Sequence, residues 1–270
     1  MASAQEDADT PAYGVQLHDR DRASDGYVLF TPRGSASVYL IDNDGNVINE
    51  WQTSSSARLA YLLDNGDIVA PLAPSGDDDT AGGRIEQYTW EGDIVWSYTH
   101  NVANERLHHD IEPLPNGNIL ATVWEMIAPE DAQALGLSSA LIDPLDISNG
   151  RSIFYDKIIE VDPHTNEIVW EWRFLDHTIQ DEDESFPNYG IPAAHPERID
   201  LNFDTSNTQS RSRTHLNAIA HHPDENLIMV SSRFYSEIWV IDRATGTLVY
   251  RWGNPAAYGR GLPANTQLFA

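Results

Sequence analysis

Residues 215–252 read HLNAIAHHPDENLIMVSSRFYSEIWVIDRATGTLVYRW. Four apolar runs, 215–220, 227–232, 237–242 and 247–252, are broken by turn-forming residues, most clearly Pro223-Asp224-Glu225-Asn226 and Ala244-Thr245-Gly246. Val, Ile, Tyr and Trp suit a pleated, half-buried surface. Pro fixes φ, and Asn, Asp and Gly reach the backbone angles that tight turns need. The stretch predicts four antiparallel strands. His221 and His222 fall at the first turn and are expected in solvent.

The same unit recurs toward the N-terminus. Leu114-Pro115-Asn116-Gly117-Asn118-Ile119-Leu120 repeats the first turn and second strand, and Leu63-Asp64-Asn65-Gly66-Asp67-Ile68-Val69 repeats them again. The closing hairpin returns at Ile41-Asp42-Asn43-Asp44-Gly45-Asn46-Val47, at Trp90-Glu91-Gly92-Asp93-Ile94 and at Val161-Asp162-Pro163. Asn-Gly and Asp-Gly supply positive φ for such hairpins. Aligning the closing aromatics as Trp51, Trp96, Trp170 and Trp252 gives intervals of 45, 74 and 82 residues. A propeller blade takes about 40–50 residues, so the longer intervals require insertions, expected at 126–149 and 176–213. The first holds a short helix over 129–137, and both are expected to cap one face.

The reading is an all-β propeller of four-stranded blades over 26–270, behind an N-terminal tail, 1–25. About four blades are present, the first partial. Propellers close with four to eight blades, so the expectation is part of a six- or seven-bladed ring, with a small complete propeller as the alternative.

Equivalent positions in a propeller gather around one axis. Superposing the turns places Arg58, His109 and Asn217 on the innermost strands of successive blades, and superposing the third strands sets Arg33 opposite Arg233. His215 and Asn217, two apart on a strand, would share a face, and His108 would face away from His109. Cations and imidazoles converging in a chain with 16 Lys plus Arg suggest an anion pocket. Arg offers a planar fork to an oxyanion, and neutral His can donate, accept or attack. Dispersed His108, His109, Asp110 and His177 have no metal-site spacing. Gly-rich phosphate loops and Gly-x-Ser-x-Gly elbows are absent.

A formal charge of -26 disfavours nucleic acid and anionic membranes as partners. No run of about 18 apolar residues offers a membrane span. The acidic runs 77–79 and 181–184 lack calcium-loop spacing, so no cofactor or metal is expected, while a structural calcium ion and a homodimer are left open. With no Cys, thiol chemistry is excluded. Ala2-Ser3-Ala4 before Gln5 looks like the end of a signal peptide, or else a chance Ala/Ser-rich start.

From about residue 26 to the end, the sequence resembles the aryl-sulfate sulfotransferase family. The resemblance is carried by Asp156-Lys157-Ile158-Ile159-Glu160-Val161-Asp162, Val169-Trp170-Glu171-Trp172, Asp176-His177, Asn188-Tyr189-Gly190 and His195-Pro196. It continues in His215-Leu216-Asn217 and Ser231-Ser232-Arg233, with Arg233 sixteen residues after Asn217. It implies nucleotide-independent sulfuryl transfer from an aryl sulfate to a phenol through a histidine, in a periplasmic or secreted setting, a cytoplasmic one not being excluded. By resemblance, His215, Asn217 and Arg233 match the family's sulfate-binding set and His109 another pocket histidine; with the repeat alignment, His109, His215 and Arg233 are the candidate catalytic residues and Asn217, Arg58, Arg33 and His177 the candidate substrate-binding ones. The family's transferring histidine lies in a later blade and has no match before Gln267-Leu268-Phe269-Ala270. Either His109 or His215 takes its role, the residue lies outside this chain, or catalysis is absent. A non-catalytic module binding an anionic or aromatic ligand or a protein, or another propeller enzyme such as a quinone-dependent dehydrogenase or polysaccharide lyase, stands as the alternative.

Overall fold

The structure, a computed structural model, describes residues 14–15, 17–73, 81–142, 152–205 and 211–259. The acidic run 77–79, the 2–5 segment, the last residues 267–270 and parts of the expected insertions lie outside them.

The described residues build four antiparallel blades in a propeller arrangement. Blade 1 is β1 (Tyr27–Phe30), β2 (Ser37–Asp42) and β3 (Val47–Gln52). Blade 2 orders β4 (Tyr61–Leu62), β5 (Ile68–Leu72), β7 (Arg84–Tyr88) and β8 (Ile94–Thr99), while β6 (Ala81–Gly82) crosses to the next sheet. There β6 edges blade 3, made of β9 (Glu105–Pro113), β10 (Ile119–Ile127), β11 (Ile153–Asp162) and β12 (Glu167–Arg173). Blade 4 is β15 (Leu216–His222), β16 (Leu227–Ser232), β17 (Glu237–Asp242) and β18 (Leu248–Gly253). Between β10 and β11 lie α1 (Pro129–Ala134) and α2 (Ser139–Ile142), and between blades 3 and 4 the parallel pair β13 (Thr178–Ile179) and β14 (Ile199–Asp200).

The turn chemistry repeats atom for atom. Leu63 N–H donates to Asp67 O and Leu114 N–H to Asn118 O, both at 2.8 Å. Gly66 and Gly117 each take φ +88°, where a Cβ would be strained. In blade 4 Asn226 fills that turn at φ +52°, a conformation Asn tolerates. One expectation fails here: β15 runs through His222, so His221 and His222 are strand residues, and His221 N–H donates to Glu112 Oε1 of blade 3.

Every blade also carries a bulge in its closing hairpin, after Leu40, Gln87, Glu160 and Val240. Counting from this shared bulge shows which aromatics correspond. Trp51, Tyr98, Trp172 and Trp252 pair with Val38, Ile85, Ile158 and Ile238, so these four are equivalent. The alignment through Trp96 and Trp170 is therefore two residues out of register. Trp96 and Trp170 occupy the position of Asn49 instead. At both positions side chains reach the next blade's hairpin: Asn49 and Trp51 donate to Trp90 O and Thr89 O, Trp96 to Asn166 Oδ1, and Trp170 and Trp172 to Arg243 O and Gly246 O.

The core lies between blades. Val38, Leu40 and Trp51 pack with Ile68, Leu72 and Tyr88, and Val69, Ile85 and Tyr98 with Ile119, Val123 and Val161. Leu120, Ile158 and Trp172 pack with Leu216, Ile228 and Trp239. Because successive strand residues point to opposite faces, β10 and β11 are apolar on both and fit between two neighbours. The two inserted regions bind one another: Asn188 Nδ2 donates to Leu135 O, and Asn202 Nδ2 to Gly136 O.

Candidate functional site

The site forms where the innermost strands of blades 2, 3 and 4 begin. These strands do not superpose as the turns suggested. Ala57, Leu107 and Leu216 are the equivalent residues by ladder register. Beyond them, three residues of β9 face Thr122 alone, whereas in β15 only Asn217 is extra. Arg58 and Asn217 thus lie one residue past the register point and His109 two past it. Bulge length, which the turn alignment does not reveal, is the reason. His109 and His215 both adopt left-handed φ, +50° and +54°. Their side chains leave the strand alternation, and His215 lies ahead of β15 rather than on one of its faces with Asn217.

This bending brings the two imidazoles together, with ring centroids 4.6 Å apart. His108 does not face away: its ring lies 5.1 Å from that of His109 and stacks on Trp124 at 4.5 Å. Aromatic rings surround the pair. Trp124 lies 5.9 Å from His109 and 6.2 Å from His215, Phe154 stacks on Trp124 at 5.5 Å, and Phe234 is 5.0 Å from His215. Arg211 lies over Phe154 and Arg233 over Phe234.

The electrostatics favour the neutral form of both histidines. Burial, then the neighbouring charges of His108, His215, Arg58 and Arg233, push His109 down to about 3. Burial lowers His215 as well, with Arg233 and His108 adding to the effect and Asp156 opposing it. Neutral imidazoles beside two guanidiniums make a site with a free lone pair and positive potential together.

His108 is held from behind. Its Nε2 is 2.7 Å from Asp156 Oδ1, and both side chains are fully buried. The approach is a close ion-pair contact off the ideal hydrogen-bond angle, and neither atom has an aligned hydrogen-bond partner elsewhere. Thr214 Oγ1 donates to the other oxygen of Asp156. His108 Nδ1 and His109 Nδ1 are 2.9 Å apart. Trp124 Nε1 and His215 Nδ1 are buried with no hydrogen-bond partner among the described residues, an arrangement that costs free energy unless a ligand or water meets them.

The other expected residues spread out. Arg233 is exposed; its N–H donates to His215 O at 3.1 Å. Asn217 accepts from Ser231 Oγ at 2.6 Å and, with Arg233, Ser236 and Trp252, lines a hollow of about 250 Å³ whose walls do not include His109 or His215. Arg33 is exposed in the blade 1 loop whose Thr31 donates to Arg58 O. His177 does not join the cluster. It follows β12, at the opposite edge of blade 3 from β9, and stacks on Trp172 at 4.8 Å against Gly246. The expectation fails there because Trp172 and the next hairpin capture the ring. Sequence reasoning missed Trp124, Phe154, Phe234, Arg211 and Asp156. Phe234, adjacent to Arg233, carried the only local hint. Among the described residues no group of three His, Asp or Glu side chains is arranged to hold a metal ion, and no helix is long and apolar enough to cross a membrane.

Fold and site define a β-propeller whose inner strand ends carry an aromatic-walled pair of histidines beside two arginines. The arylsulfotransferase (ASST) family pattern matches residues 15–268, and the chain belongs to that family. A comparison with curated proteins finds no match. Among solved structures the chain is similar in fold to Kuenenia stuttgartiensis hydrazine synthase, at 13% identity and TM-score 0.50, covering 84% of this chain. It spans 58% of that protein's length. A Bacteroides caccae protein of unknown function aligns at 12% identity and TM-score 0.40, over 85% of this chain and 73% of that one.

Proposed function

We propose that this chain moves a sulfuryl group from an aryl sulfate to a phenol through a histidine, without a nucleotide donor. Family membership supports aryl sulfotransfer. The observation that carries the finer reading is the His109–His215 pair at 4.6 Å between aromatic walls and arginines. An aryl ring packs on Phe234, while sulfate oxygens meet Arg233 and Arg58. Trp124 Nε1–H, buried without a partner, donates to the same oxygens. Fixed donors of this kind stabilise the charge that builds on a sulfuryl group in flight. Asn217, two residues from His215, orients the acceptor phenol from the neighbouring hollow. The reading includes a periplasmic or secreted setting.

The test uses 4-nitrophenyl sulfate with a second phenol as acceptor. Arg233→Ala is expected to lower nitrophenol release by roughly 10²–10³-fold, as loss of one oxyanion donor does. No release by the unaltered chain, or release indifferent to Arg233→Ala, would overturn the assignment. Binding of the aryl sulfate without turnover would support the ligand-binding alternative.

A further inference from the structure

We infer that Asp156 and His108 form a buried positioning pair that fixes His109 as the Nδ1–H tautomer, leaving its Nε2 bare as the sulfuryl acceptor. The inference rests on the proposed transfer reaction but concerns residues that reaction does not itself require.

Two bare acceptor atoms repel at 2.7 Å in a dry interior, so one of them carries a proton even though the contact is off the ideal hydrogen-bond angle. His108 Nε2 and Asp156 Oδ1 are at that distance, both fully buried. An imidazole nitrogen is by nature more basic than a carboxylate oxygen, and Asp156 accepts the Thr214 hydroxyl on its other oxygen. The proton therefore sits on His108 Nε2. In neutral His108 the remaining nitrogen, Nδ1, is an acceptor. It lies 2.9 Å from His109 Nδ1, so His109 must donate there, and the lone pair of His109 is left on Nε2. The logic is that of a base oriented by a third group, here with one imidazole orienting another. Thr122 Oγ1 clamps the His108 carbonyl, and Trp124 stacks on the His108 ring, so His108 has little freedom to turn.

The arrangement also accounts for the proton during transfer. His109 Nε2 forms the N–S bond as the aryl O–S bond breaks, and the phenolate leaves with that bond's electron pair. The Nδ1 proton of His109 passes to His108 Nδ1. His108 becomes an imidazolium beside the Asp156 carboxylate, and the N-sulfo imidazole stays neutral at the ring. In the second half the acceptor enters as phenolate, its proton having passed through solvent to the departed phenolate. The O–S bond forms, the N–S electron pair returns to Nε2, and the proton returns to His109 Nδ1. The groups facing His109 are His108, His215, Arg58 and Arg233. Asp156 is the carboxylate against His108. None of the four around His109 is a carboxylate, and the base facing His109 besides His108 is the His215 imidazole.

Two measurements on the 270-residue chain decide the matter. Nitrogen-15 NMR of the unaltered protein at neutral pH should show His109 protonated at Nδ1 and bare at Nε2; the opposite tautomer would overturn the inference. With 4-nitrophenyl sulfate and no acceptor, one equivalent of nitrophenol should appear, with a sulfuryl adduct on the His109 peptide after a neutral quench. An adduct on His215 would overturn the inference while leaving sulfuryl transfer standing. Absence of any nitrophenol would remove the transfer reading, and the tautomer would still judge the positioning pair. Asp156→Asn keeps the side chain's shape and its contact with Thr214. It should slow the nitrophenol burst by roughly 10²-fold or more, leave aryl sulfate affinity unchanged and disturb the His109 tautomer. A variant equally slow but with the tautomer intact would contradict the positioning role.

Discussion

The closing hairpins and the inner strand ends of the blades are built by opposite rules. At the hairpins, four blades repeat one bulge at one position, and the equivalent residues Trp51, Tyr98, Trp172 and Trp252 recur with little change in type. At the inner ends, the equivalent points Ala57, Leu107 and Leu216 are followed by departures of different length. Those departures carry Arg58, His108, His109 and Asn217. Repetition makes the scaffold, because identical contacts stack identical units. Chemistry collects where repetition breaks, because a bulge re-aims a side chain away from the shared pattern.

The contrast breaks if an inner-end change costs folding or an outer change costs chemistry. The largest expected effect is at the inner end. His109→Ala should abolish nitrophenol release, by roughly 10³-fold or more, while the melting temperature stays within a few degrees of the parent. Large unfolding instead would show that His109 is structural. At the outer edge, Trp172→Ala should destabilise by about 3–5 kcal/mol, read by urea titration, because the indole is 2% exposed and donates to Gly246 O. The equivalent Trp252→Ala should cost much less, since Trp252 is 49% exposed. Equal costs would deny the clasp its role.

The smallest effect is in the pH dependence. His109 is depressed to about 3 in the fold, chiefly by burial, against about 6.5 unfolded. The folded state then binds fewer protons, so this contribution to stability is complete above pH 6.5 and is lost as pH falls from 6.5 toward 3. Acid titration of unfolding should show a steeper slope in the parent than in His109→Gln over that interval; identical slopes would mean that His109 titrates normally.

Much of the scaffold is legible from residue type alone. Gly66, Gly117 and Asn226 mark turns because few other residues take their φ, and the short helix within 129–137 begins at Pro129 as α1. The aromatic register was misread because in blades 2 and 3 a Trp, Trp96 or Trp170, also stands two residues before the true equivalent, Tyr98 or Trp172. The site was half legible. His109, His215, Arg58 and Arg233 emerged from counting back along repeats, since cations stand out in an acidic chain. Trp124, Phe154 and Phe234 look like ordinary core, and Asp156 like ordinary strand acid. Only the left-handed turns at His109 and His215 bring them into one neighbourhood, and the Asn217 and His177 placements fail for the same reason: local geometry, not spacing, sets their direction.

The clasps from Trp51, Trp96, Trp170 and Trp172 onto the following blade's turn make the scaffold a row of interlocked neighbours. A blade's hold on its outermost strand is supplied from outside itself, so no blade keeps its full strength in isolation. Blades 2 and 3 each grip one partner and are gripped by another, and blade 3 carries Asp156, His108 and His109. Loosening at either end must undo a clasp before it reaches those residues.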